Sequence, residues 1–232
     1  MKLILLLIVA ALIVGAFFYF EKNRSDALAK VANELGFQFK AGQQNLPSEL
    51  DEIGFYLFSQ GSRQITNLMQ GRKGDYDIAV FGYFYDAGVG MEGQRELPIS
   101  NDDGEIQRRG QSVAWIHSAR HNLPDFDLTP VKGAIRRVAQ EDNLQRITFD
   151  GNRAFDDKYV LTGRDAAAVR GLFNEEVQRF LETHPEFTFE SRGHDALLYR
   201  NQERVDPANI PDLLNLAEEF MDLLSTSRKS DA

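Results

Sequence analysis

Cysteine is absent from all 232 residues, which excludes disulfides, thiolate zinc sites, iron–sulfur clusters and cysteine nucleophiles. Also missing are a Gly-x-Ser-x-Gly elbow, a Gly-x-x-x-x-Gly-Lys-Ser/Thr phosphate loop and a complete dinucleotide fingerprint. "GVGMEG" at 88–93 comes nearest to the last of these, but no apolar-periodic helix follows to offer its N-terminus to a pyrophosphate. Positive charge is scarce: 26 basic residues face 35 acidic ones, a formal net charge of -9. A phosphate backbone is repelled by such a chain on average, so no nucleic-acid partner is expected. Nothing in the sequence implies a cofactor or a metal, and no residue is singled out as catalytic.

What is present begins with an uncharged run at residues 3–20, "LILLLIVAALIVGAFFYF". Eighteen helical residues rise about 27 Å, close to a hydrocarbon core of roughly 30 Å. Four aromatic residues, Phe17 to Phe20, close the run where rings favour the membrane interface, and "EKNR" follows. Residues 1–24 therefore read as a transmembrane anchor whose partner is the lipid bilayer. A cleaved signal peptide is the rival reading, with Val14-Gly15-Ala16 as the cleavage site, although the apolar run continues beyond it. Lys22, Arg24, Lys30 and Lys40 follow the run and Lys2 alone precedes it, which places the bulk of the chain in the cytoplasm, at a bacterial inner membrane.

Beyond the anchor, residues 25–226 read as an α+β domain with possible sub-units 25–140 and 141–226. A short helix is expected over "SDALAKVANELG", capped by Ser25 or Asp26 and ended by Gly36. "RQITNLMQ" and "DYDIAVFGYFYD" flank "GRKG" as a hairpin. The polar segment 88–110 reads as a mobile loop. "QSVAWIHSA" alternates as a strand, and "LPDFDLTP", bounded by prolines, suits a sheet edge. "LQRITFD" and "DKYVLTG" are further strands. One helix starting at Asp165 then carries Val169, Leu172, Phe173, Val177, Phe180 and Leu181 on a single stripe. "FTFES" and "ALLYR" pair around Arg192-Gly193, and a last helix begins with Asp206 as cap and Pro207 at its first position. The expected architecture is an antiparallel sheet with helices on one face and a disordered tail at 227–232.

The stretch 75–86 holds five aromatic rings. Alternation puts Ile78, Val80, Gly82 and Phe84 on one face and Ala79, Phe81, Tyr83 and Tyr85 on the other, so both faces are apolar. That predicts a strand covered on both sides rather than an RNA-stacking platform, which needs exposed rings beside basic residues. Tyr83 and Tyr85 could still line a pocket.

The hairpin "NLMQG" to "YDIAVFGYFY", then "QSVAW", "LPDFDLTP", "ITFDGNRAFDDKYVLTGRDAAAVRGLF" and "GHDALLYR", resemble a widespread bacterial family of membrane-anchored proteins of unknown function. The resemblance covers roughly residues 25–200. It implies an α+β domain tied to a membrane, and it carries no site residue, since the shared positions are apolar residues and glycines. Gly82 stands where that family often has Asp.

Four histidines could carry chemistry: His117, His121, His184 and His194. The i, i+4 spacing of His117 and His121 suits metal ligation only on a helix, and here they follow a strand. Asp125 with Asp127, Asp150, and Asp156 with Asp157 could supply paired carboxylates for acid–base work. Each stands beside Pro, Gly or Asn, where Asp commonly shapes turns. Arg108 and Arg109 sit among acidic neighbours as a solvated mixed-charge surface. The resulting expectation is a membrane-tethered, non-catalytic accessory protein with a protein partner. The alternatives are a membrane-anchored hydrolase using Asp and His, or a domain binding a small ligand between sheet and helices.

Overall fold

The computed structural model describes residues 2–59, 64–86, 108–131, 144–149 and 151–230. Within these, it does not describe the side chains of Lys2, Leu3, Leu7, Ala10, Ile13, Phe17, Tyr85, Asp86, Arg108, Arg109 and residues 228–230. Helix α1 runs unbroken over Lys2–Leu35. The separate helix expected at Ser25 does not exist, because Ser25 spends its hydroxyl on Asn67 Oδ1 (2.9 Å) and no residue breaks the helix there. Gly36, at φ +71°, ends it: Phe37 N–H donates to the Ala32 carbonyl (2.7 Å) and Gly36 N–H to that of Asn33 (3.1 Å). This paired closure is the one a left-handed glycine permits. Among the described residues no helix is long and apolar enough to cross a membrane.

Nine strands form one antiparallel sheet: β1 Gln38–Asn45, β2 Gln64–Lys73, β3 Tyr76–Asp86, β4 Arg108–His117, β5 Leu123–Pro130, β6 Gln145–Ile147, β7 Tyr159–Gly163, β8 Phe187–Gly193 and β9 Asp195–Arg200. Their order is β1-β2-β3-β4-β9-β8-β5-β7-β6. The β2–β3 hairpin turns at Gly74-Asp75, centred two residues later than "GRKG" suggested. Lys73 pairs with Tyr76, and Gly74 takes φ +59°. The sheet crosses the suggested boundary at 140/141, since β4 pairs with β9 and β5 lies between β8 and β7. β5 is thus internal, not an edge. Pro124 falls in the register shift between Leu123 and Phe126, and Pro130 ends the strand, so neither removes a ladder bond from its middle. The expected loop at 88–107 and Asp150 lie outside the described residues, while Arg108, Arg109 and Gly110 pair with Asp86, Tyr85 and Phe84 in β4.

The remaining helices are α2 Ser48–Glu52, α3 Arg153–Asp156, α4 Ala166–Leu172, α5 Glu175–Thr183 and α6 Ile210–Ser230. The single helix expected from Asp165 is two. Asp165 caps α4, accepting from Ala167 and Ala168 N–H, and Asn174 caps α5, accepting from Glu176 and Val177 N–H. Asp206 accepts from Ala208 N–H (2.9 Å) and opens a 3₁₀ turn, Pro207–Asn209, that leads into α6. The tail expected to be disordered is helical as far as Ser230.

The sheet is covered on both faces. One core joins Leu28, Val31 and Ala32 of α1 and the apolar sides of α4, α5 and α6 to Ile78, Val80, Ala114, Phe126, Leu161, Phe189 and Leu198. On the opposite face a smaller core sets Leu46, Leu50, Phe55, Leu57 and Phe58 against Phe81, Tyr83, Val113, Leu197 and Tyr199. Helices are therefore not confined to one side: α2 and a 3₁₀ turn at Tyr56–Ser59 serve the second core. β3 contributes to both, with Ile78 and Val80 on one side and Ala79, Phe81 and Tyr83 on the other.

Candidate functional site

The strand registers define two rims. At one, the β2–β3 turn, the end of β4, the β8–β9 turn and the β4–β5 connection come together. Three of the four histidines sit there. His117 Nδ1 donates to Asp195 Oδ1 (2.9 Å), and Trp115 Nε1 donates to the same oxygen (3.1 Å). The indole and imidazole stack with centroids 6.0 Å apart. His194 lies 6.2 Å from the His117 ring, and its Nδ1 is bonded to the His121 carbonyl.

His121 turns to the other face. Its Nε2 is 3.1 Å from the Tyr76 hydroxyl and its ring stacks on Tyr76 at 5.6 Å. That hydroxyl donates to Asp222 of α6. Burial first, then the hydrogen bond to Asp222, pushes Tyr76 ionisation well above the usual 10. Lys73 also reaches α6, placing Nζ 2.8 Å from Asn215 Oδ1 and against Glu218. These ties flank an open groove of about 460 Å³ on α6, lined by Asn215, Glu218, Glu219, Asp222, Leu223 and Thr226.

His117 and Asp195 reproduce the base and orienting carboxylate of a hydrolytic triad. The nucleophile is missing from the geometry: among the described residues His117 has no hydroxyl as hydrogen-bond partner. No group of three or more His, Asp or Glu among the described residues is placed to hold a metal ion. His117 and His121, the pair suggested by spacing, diverge to opposite faces. His184 is remote from both, with Nδ1 bonded to the Phe180 carbonyl (2.9 Å) at the end of α5.

The carboxylates do not converge either. Asp125 faces Arg164 at 3.8 Å. Asp127, 2% exposed in its side chain, is held by both Arg192 terminal nitrogens at 3.0 and 3.3 Å. Asp156 accepts from Phe149 N–H (3.1 Å), and Asp157 closes α3, both shaping turns. Tyr83 is fully buried.

Sequence reasoning missed Glu190, which is fully buried beside Asp127 on the neighbouring strand. It accepts from Tyr199 Oη (2.7 Å) and from Leu57 N–H (3.4 Å), so it tethers the segment that covers the second core. The available signal was alternation: with Phe187 and Phe189 on one face, Thr188, Glu190 and Arg192 must share the other.

The second rim holds the exit of α1. Glu21 receives Arg204 through both carboxylate oxygens at 2.6 and 2.8 Å. Arg24 donates to the Val205 carbonyl (2.8 Å) and to Ser112 Oγ (3.4 Å). The Arg204 hydrogen bond holds the Glu21 carboxyl below its usual range, with partial burial opposing it.

No family model matches the chain, and no curated protein does. Among solved structures it is similar to the mycobacterial trehalose monomycolate transport factor A, TtfA, at a TM-score of 0.60 and 13% identity. The match covers 86% of this chain and 93% of TtfA. At that identity the likeness is one of fold.

Proposed function

We propose that this protein is a membrane-tethered accessory protein, held by residues 3–20 at a bacterial inner membrane with its α+β domain on the cytoplasmic side, where it binds a protein partner. The observation that carries this reading is α1. Its first part leaves large apolar side chains in the open, among them Leu6, Leu12, Phe18 and Phe20 at 67% exposure, and the same helix then enters the main core through Leu28, Val31 and Ala32. A surface of that size and composition is stable in lipid and costly in water. The eighteen uncharged residues have spanning length, and Lys22 and Arg24 follow them. On this reading the chain belongs with the membrane-anchored bacterial family that its sequence resembles.

Two further facts support an accessory role over catalysis. Among the described residues the His117–Asp195 pair has no hydroxyl partner, and a neighbour in fold is named as a transport factor. Only the general part of that name, a factor in transport, is carried over, and not the trehalose monomycolate. The test is membrane fractionation with affinity capture in mild detergent, comparing the full chain with a variant lacking residues 2–20. The expected result is loss of both membrane residence and a specific partner in the variant. Turnover in substrate screens that His117→Ala abolishes without unfolding would overturn the reading in favour of a hydrolase.

A further inference from the structure

We propose that the sheet rim at the exit of α1 lies on the lipid headgroups in a fixed pose, which presents the histidine–tryptophan rim away from the membrane. The inference rests on the anchor reading above and adds an interaction surface to it. Three observations lead to it.

First, no linker separates the apolar part of α1 from the domain. Phe20 is 67% exposed, and the next residue, Glu21, is already clamped by Arg204. Arg24 and Ser25 add ties to Val205, Ser112 and Asn67 on the following turn. A continuous helix with ties on its first domain turn transmits its orientation to whatever it is packed in.

Second, α1 runs along the strands. Its Arg24 lies level with Ser112 and Val205, near the start of β4, whereas Phe37, just past its end, packs on Gly71 toward the far end of β2. The registers then put Phe84, Arg200, Phe187, Val131 and Lys158 along the same rim as the exit of α1, where Arg204 holds Glu21. Trp115, His117, His194 and Asp75 fall at the other rim. The eleven residues of β3 separate the two rims by about 33 Å.

Third, the near rim has the chemistry of a headgroup contact. Val131, 37% exposed, is the one exposed large hydrophobic among the described residues outside α1. Two arginines lie over rings: Arg200 at 4.5 Å from the Phe187 centroid and Arg204 at 5.4 Å from that of Phe84. Guanidinium groups backed by apolar surface suit the interfacial zone, where one side of the group is wet and the other is not. Among the described residues Glu186 and Glu203 pair with Arg200 and Glu21 with Arg204, so the charges of these two arginines are matched. The contact therefore does not require anionic lipid.

The absence of cysteine makes the test clean. Lys158→Cys or Asn201→Cys on the near rim, and Arg72→Cys on the far one, are labelled with a fluorophore. The full chain is reconstituted into phosphatidylcholine vesicles carrying a nitroxide on the headgroup. Quenching is expected at 158 and 201, with fluorescence at 72 retained. Inserting a flexible Gly/Ser segment between Phe20 and Glu21 should erase the difference. Equal quenching at all three positions, in protein that floats with the vesicles, overturns the proposal and leaves the anchor reading standing. Protein that fails to float overturns the anchor reading, and this proposal with it.

Discussion

Arg192 is the residue whose loss should be felt most. Its guanidinium, 9% exposed, is the charge partner of an Asp127 that has almost no contact with water. Arg192→Ala leaves that carboxylate buried and uncompensated, and the expected loss is about 3–5 kcal/mol, read from urea denaturation midpoints. Arg192→Met with Asp127→Leu should recover most of it, because an apolar pair of similar volume removes both desolvation costs. A single-variant loss near zero would mean that Asp127 is hydrated in solution. Titration gives a second prediction at this scale. Tyr76 and Tyr159 are both raised well above 10, each by burial first and then by neighbouring carboxylates, Asp222 and Glu186 respectively. Above pH 10 the unfolded chain releases these two protons while the folded chain keeps them, so stability falls as pH rises. Ultraviolet titration should place Tyr76 and Tyr159 among the tyrosines that ionise late, and Tyr76→Phe should remove one tyrosine from that late group. Glu21 has the opposite sign: its lowered pKa gives stability present above about 4.5 and lost as pH falls below it, and Arg204→Ala should flatten that acid limb. Little of this was legible in the sequence. Asp127 was noticed for its neighbour Asp125, but the partner that matters, Arg192, is 65 positions away. Asp195, which joins Trp115 to His117, likewise comes from another strand.

Elements were more legible than contacts, and their departures have local causes. The double-sided apolar pattern of β3 correctly implied cover on both faces, because alternation is a property of the strand itself. β5 misled because proline was taken as a mark of an edge, whereas Pro124 and Pro130 stand at a register shift and at the strand's end. The stripe from Val169 to Leu181 was real, with Val169, Leu172, Phe173, Val177 and Leu181 all in the core. What periodicity could not reveal was a break inside it. Asn174 makes that break by capping α5 with its side chain. Asn174→Ala should therefore cost about 1 kcal/mol, seen as a lowered melting temperature, and Asn174→Asp should restore it. If the alanine variant is as stable as the parent, the two helices are held by packing alone.

At the scale of the molecule, α1 has two halves with different duties, and truncation should separate them. No described side chain of residues 2–20 belongs to either core, whereas Leu28, Val31 and Ala32 fill the main one and Phe37 covers Gly71. A chain beginning at Glu21 should unfold cooperatively with a melting temperature within a few degrees of the parent's, and on the proposed anchor reading it should no longer float with vesicles. A chain beginning at Gln38 loses those four side chains together; Leu28, Val31 and Phe37 are each worth about 1.5–3 kcal/mol when fully buried and the Ala32 methyl about 0.8 kcal/mol, a total comparable to the whole stability of a domain. It should be unfolded or molten by circular dichroism. The contrast discriminates between two pictures of the first helix. If α1 were only a leader, both truncations would fold. If the apolar half were part of the domain's own core, neither would. The structure requires the shorter truncation to fold and the longer one to fail, because only the second half of the continuous helix Lys2–Leu35 packs into the core.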